Sequence, residues 1–113
     1  FTVVHQFVRI GAHSMTAMCA LLFGDLPPFV MCQGQPAEAR SMNFEGLRRR
    51  GFSSERINAV KAMHKALYRD GLTLEQAQSQ IAALTQAHPE AAPDVAMMLE
   101  FLSGTTPQRG IVR

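Results

Sequence analysis

Between Val4 and Leu22 the chain repeats every six residues: Val4, Ile10, Thr16 and Leu22 share one position, and "IGAHSM" has the form apolar-Gly-x-x-x-x. That period suits neither an α-helix, with 3.6 residues per turn, nor a half-buried strand, which alternates every two. A six-residue unit makes one flat side of a triangular parallel coil, and its apolar residue points inward onto the units above and below. The same stretch carries short β-branched and aromatic runs, "TVV", "FVRI" and "FVM", broken by Gly11, Gly24, Pro27-Pro28 and Gly34. That is the composition of strands and turns. Four units are little more than one coil, and Thr16 is a poor inward residue. So short a stub exposes an unpaired sheet edge, and the chain opens on Phe1 inside a strand-like run. The expectation is a fragment of a longer protein with further coils upstream.

From Ser41 onward the period changes to that of helices. Asn43 can cap a short helix through Arg50, with Phe44 and Leu47 on one side and Gly51 closing it. Ser53 or Ser54 opens a longer helix whose stripe is Ile57, Val60, Met63 or His64, and Leu67, ending at Gly71. Thr73 and Gln76 have capping-box spacing and start a third helix with Ala77, Ile81 and Leu84 inward. Pro89 stops its extension past His88. A last helix begins near Pro93, buries Val95, Met98, Leu99 and Leu102, and ends at Gly104. The expected organisation is residues 1–34 as the end of a β-helix, 35–42 as a linker and 43–113 as a helical domain.

At 113 residues the chain has length for one ordinary domain, and 47% hydrophobic with 18% charged residues is a globular composition. A net charge of +2 is too mild to require nucleic acid, although basic residues concentrate between Arg40 and Arg69. The longest apolar run, Met15 to Phe23, is too short to span a bilayer, so no transmembrane segment is expected. Cys19 and Cys32 lie in neither a CxxC nor a Cys/His metal spacing, and are read as buried reduced thiols in a reducing cytoplasm. No motif calls for a metal or cofactor. His13 is expected to face outward, Met63, Met97 and Met98 to be core, and His64 and His88 to lack acidic partners at ligand spacing.

The runs "VVHQFVRIGAH", "DLPPFVMCQG", "NFEGLRRRGFS", "ALYRDG" and "RGIVR" together resemble, in order and spacing, the C-terminal part of the acyl-carrier-protein-dependent UDP-N-acetylglucosamine O-acyltransferases, which start lipid A synthesis. The resemblance implies a left-handed parallel β-helix followed by a small helical domain, assembled as a homotrimer with active sites between subunits. It implies transfer of an (R)-3-hydroxyacyl group from acyl carrier protein to the 3-hydroxyl of UDP-N-acetylglucosamine. The family's general base is a histidine in an earlier coil, so no catalytic residue is expected here.

By the same resemblance Arg49 and Arg50 sit at nucleotide-contacting positions, Arg48 at a solvated one, and Asn43 and Glu45 on the uridine side. The chemistry fits: planar guanidinium groups donate to phosphate in paired geometry, an amide matches a pyrimidine edge, and a carboxylate accepts from ribose hydroxyls. The plainer readings are a solvated basic face, a helix cap for Asn43 and a first-turn charge for Glu45. "HQF" matches a family motif in which Gln6 contacts the phosphate or sugar region and His5 lines the cleft. Met15 and Met18 fall in the acyl-chain groove. Family members commonly read "MVGGCSGV" where this chain reads "MTAMCALL", and a methionine at the second glycine position implies a shorter accepted acyl chain; ordinary solenoid core is the alternative for Met18. A non-enzymatic helical binding or assembly module using the Arg48–Arg50 patch is the competing function. The related N-acyltransferase of the same pathway lacks the "NFEGLRRRGFS" pattern.

Overall fold

The first strands are two residues long because each side of the coil is only six residues. In the computed structural model, which describes residues 1–113, β1 (Val3–Val4) lies parallel to β3 (Leu21–Leu22), with Val3 beside Leu21 and Val4 beside Leu22. Those partners are eighteen residues apart, three six-residue units, which is one complete coil. The next pairs are two residues tighter. Ile10 bridges Leu26, and β2 (Met15–Thr16) runs parallel to β4 (Val30–Gln33) with Met15 beside Met31. Phe7, His13 and Cys19, six residues apart, hold positive φ of 68°, 60° and 61°. The sequence supplies no glycine at these corners, so each carries the strain of a left-handed conformation on an L-residue. The coil is the end of a left-handed parallel β-helix, with a helical unit after it.

Of the four inward positions read from the repeat, only Leu22 is fully buried, while Val4 and Ile10 are 40% and 53% exposed. Val4 and Ile10 belong to the first turn of the coil described here. Leu22 lies one coil further on, among Leu26, Phe29, Val30 and Cys32, all fully buried. His13 is half-buried, its ring parallel to that of Phe29 at 5.8 Å, so it packs on the core where it was expected to face outward. Cys32 is buried, which pushes its thiol pKa up, but Cys19 is exposed, contrary to the expectation for both.

Residues 35–42 are more than a linker. β5 (Glu38–Met42) pairs antiparallel with β4, Val30 opposite Met42 and Gln33 opposite Glu38, around a turn in which Gly34 has φ +102°. β4 offers its free edge, and pairing satisfies backbone groups that would otherwise stay open.

The chain then forms a unit of its own, residues 44–103, before residues 104–113 join the coil unit that began with 1–43. The helical unit is α1 (Phe44–Arg49), α2 (Ser54–Tyr68), α3 (Leu74–Ala87), a 3-10 turn at Pro89–Ala91 and α4 (Ala92–Ser103). Ser53 caps α2 by accepting from the Arg56 N–H, and Thr73 and Gln76 form the full capping box of α3. Ile57, Val60, Met63 and Leu67 from α2 pack in the same core as Ala77, Ile81, Val95, Met98 and Leu102. Met63, not His64, is the stripe member, and Leu84, Met97 and Leu99 sit at its half-buried margin. His64 beside Tyr68 is held below the usual imidazole pKa, first by burial and then by Arg69. Arg56 is clamped by Asp94, its Nε and Nη2 each donating at 2.8 Å to a carboxylate that is nearly buried, and this raises the guanidinium pKa further. His88 does have an acidic partner: its Nδ1 lies 2.8 Å from Glu55 Oε1.

Candidate functional site

The coil and the tail that returns to it enclose an open concavity of about 290 Å³. Its first wall is the "HQF" corner. The His5 N–H donates to Leu22 O at 2.9 Å, continuing the β1 pairing, and positive φ at Phe7 turns the chain immediately afterwards, leaving His5, Gln6 and Phe7 exposed at the rim. Phe23 lies beside them, its ring tilted to that of His5 at 6.1 Å. The opposite wall is a turn in which the Gly110 N–H donates to Thr106 O at 2.8 Å and the Arg109 N–H to Thr106 Oγ1 at 3.3 Å. It supplies Thr106, Gln108 and Arg109.

Asp25 holds the two walls together. It is fully buried, accepts from the Arg9 N–H at 2.9 Å and the Thr105 hydroxyl at 3.2 Å, and lies 3.8 Å from Arg9 Nε and 3.5 Å from Arg109 Nη1. Its backbone closes the same join: its N–H donates to Gly110 O at 3.0 Å, and its carbonyl accepts from the Val112 N–H at 2.7 Å. Sequence reasoning placed His5 and Gln6 together but missed Asp25, Thr106, Gln108 and Arg109. The available signals were an acid within the apolar "FGDLPPF" and the apolar pair Ile111-Val112 after Gly110, which is buried against the coil.

The arginine run lies on α1 and the residues that follow it. Glu45 Oε1 meets Arg49 Nε at 3.3 Å and Glu45 Oε2 meets Arg48 Nη1 at 3.7 Å, while Arg50 follows the helix exposed to solvent. Arg49 is 78% exposed at its side chain. Asn43, half-buried, donates from Nδ2 to His13 O at 3.1 Å and from its backbone N–H to Phe29 O at 2.7 Å. It therefore fastens the end of β5 to the coil. Met15 and Met18 are both exposed, Met18 at 82%, so Met18 is not solenoid core within this chain.

The family model for domain 2 of UDP-N-acetylglucosamine O-acyltransferase matches residues 25–112. This chain belongs to that family. It is 74% identical over 113 residues to the acyl-[acyl-carrier-protein]–UDP-N-acetylglucosamine O-acyltransferase of Albidiferax ferrireducens, covering all of this chain and 43% of the relative. The corresponding protein of Verminephrobacter eiseniae is 53% identical over 112 residues, covering 99% and 42%. The crystal structure of the UDP-N-acetylglucosamine O-acyltransferase of Moraxella catarrhalis superimposes with a TM-score of 0.89 at 31% identity, covering 99% of this chain and 41% of that one. The chain thus corresponds to the C-terminal portion of the UDP-N-acetylglucosamine O-acyltransferases and spans about two fifths of the length of these relatives. No helix is long and apolar enough to cross a membrane.

Proposed function

We propose that this chain supplies the substrate-binding C-terminal portion of an acyltransferase that moves an (R)-3-hydroxyacyl group from acyl carrier protein to the 3-hydroxyl of UDP-N-acetylglucosamine, the first step of lipid A synthesis. The observation that carries this is the whole-chain identity to enzymes named for that donor and acceptor. Arg49 and Arg50 bind the nucleotide diphosphate, Asn43 and Glu45 the uridine, and Gln6 the phosphate or sugar region, with His5 lining the cleft. The magnitudes permit it. An exposed i,i+4 pair such as Glu45–Arg49 is worth only about 0.3–0.5 kcal/mol, whereas each charge-assisted bond to a phosphate contributes about 1.5–3 kcal/mol. A diphosphate therefore outcompetes Glu45 for the guanidinium. The Arg48–Arg69 basic stretch suits an acidic carrier protein. The resemblance assigns the general base to an earlier coil, so the residues here bind and orient. The reading includes a homotrimer in the cytoplasm.

Calorimetric titration of the chain with UDP-N-acetylglucosamine tests the nucleotide assignment. Binding is expected to favour uridine over other nucleosides and to weaken at least tenfold in Arg49→Ala, the loss of one charge-assisted interaction. Equal affinity for all nucleotides, or an unaffected Arg49→Ala, sinks the reading.

Met18 shortens the accepted acyl chain by filling the end of its groove with a thioether side chain. In an enzyme carrying the family's full β-helix, Met18→Gly is expected to shift the rate ratio toward longer 3-hydroxyacyl donors by about tenfold, since two or more methylenes at roughly 0.8 kcal/mol each are at stake. An unchanged ratio removes Met18 from the groove.

A further inference from the structure

We propose that the concavity between the HQF corner and the C-terminal turn is a phosphate-ester subsite in which Arg109 is a contacting cation and Asp25 the residue that positions it. The donors gathered there are two amides, Gln6 and Gln108, the Thr106 hydroxyl and the Arg109 guanidinium, and no carboxylate lines the surface. The nearest carboxylate, Asp25, is fully buried and faces two guanidinium groups, so the cluster keeps one positive charge in excess. Asp25 meets Arg109 through one terminal nitrogen, Nη1, at 3.5 Å. A guanidinium has five donor hydrogens in a planar fork, so one such contact leaves a donor set suited to the paired oxygens of a phosphate.

Arg9 plays a different part. Its guanidinium packs so closely on Gly104 that a side chain there would collide with it, and its Nε lies 3.8 Å from Asp25 Oδ2. The rim carries Phe7 and Phe23, 74% and 56% exposed, whose rings offer apolar faces to the organic part of an ester. The site therefore prefers an esterified phosphate to the bare ion. This deepens the assignment of Gln6 to the phosphate or sugar region and rests on it where the ester is the nucleotide sugar.

The test titrates the chain and its variants with UDP-N-acetylglucosamine and, separately, with inorganic pyrophosphate at low ionic strength, with thermal melting recorded for each. Arg109→Gln is expected to weaken both ligands about tenfold or more. Arg109→Lys, which keeps the charge opposite Asp25 but loses the fork, decides the matter if the Gln variant melts early: weakened binding at wild-type melting supports the subsite, and wild-type binding overturns it. Unchanged affinity in a folded Arg109→Gln also overturns it. If UDP-N-acetylglucosamine binding depends on Arg49 but not on Arg109, the subsite fails and the nucleotide reading survives. If the nucleotide sugar does not bind while pyrophosphate binds through Arg109, both the ester subsite and the nucleotide reading fail.

Discussion

Gly11→Ala is expected to destabilise the coil unit by about 3 kcal/mol, the upper end of the overpacking range. A Cβ on Gly11 would lie 2.6 Å from Pro28 Cδ and 2.7 Å from Pro28 Cα, and closer still to the Pro28 nitrogen. None of these atoms can yield cheaply, because Pro28 is backbone and ring with φ fixed. Both sides of the contact are also fastened: the Gly11 N–H donates to Leu26 O at 2.7 Å, and the Phe29 N–H to Ala12 O at 3.0 Å. Relief requires the two coils to separate and both bonds to lengthen. With no Trp and a single Tyr, which lies in the helical unit, fluorescence would miss the event. Amide hydrogen exchange at Gly11 and Phe29 is the measurement, and protection equal to wild type would rule out the steric account.

Asp25→Ala carries the second large effect. Removing one partner of a buried charge cluster costs about 3–5 kcal/mol, since the opposing charge is left without compensation. Here two guanidinium groups are stranded, but Arg9 and Arg109 keep about a third and a quarter of their side-chain surface in water. That escape puts the expected loss at the lower end, about 3 kcal/mol. The hydroxyl of Thr105 and the N–H of Arg9 lose their acceptor as well. Residues 104–113 should become protease-sensitive and the Val112 amide should exchange rapidly. Asp25→Asn, which retains an acceptor oxygen, should be milder. A tail that stays protected in Asp25→Ala would show that Ile111 and Val112 hold it by burial alone.

The helical unit was legible because its signals are local. Ser53, the Thr73–Gln76 box and Pro89 each act within one turn of where they stand, and the 3.6-residue stripe needs no knowledge of its partner. The six-residue repeat identified the coil but not its burial, which depends on stacking: Val4 and Leu22 share a repeat position and differ wholly in exposure. β5 was invisible because "EARSM" has little apolar alternation, and the edge of β4 recruits it. The left-handed corners fell on Phe7, His13 and Cys19, residue types with weak or no preference for that conformation. Within the candidate site, the motif "HQF" placed His5 and Gln6, whereas Arg109 enters through a partner about eighty residues earlier in the chain. No window over the sequence spans that distance.

The tie between Asp25 and the segment beginning at Thr105 has a consequence for biogenesis. The helical unit is contiguous and can condense while it leaves the ribosome, as domains generally do. The coil unit cannot, because the carboxylate of Asp25 must wait for a hydroxyl and a guanidinium translated after every helix is finished. While the helical unit is being made, the coil's strands hold an acid partnered by Arg9 alone, and long-range closure of this kind is intrinsically slow. The coil residues are thus made before the helical unit and become native after it.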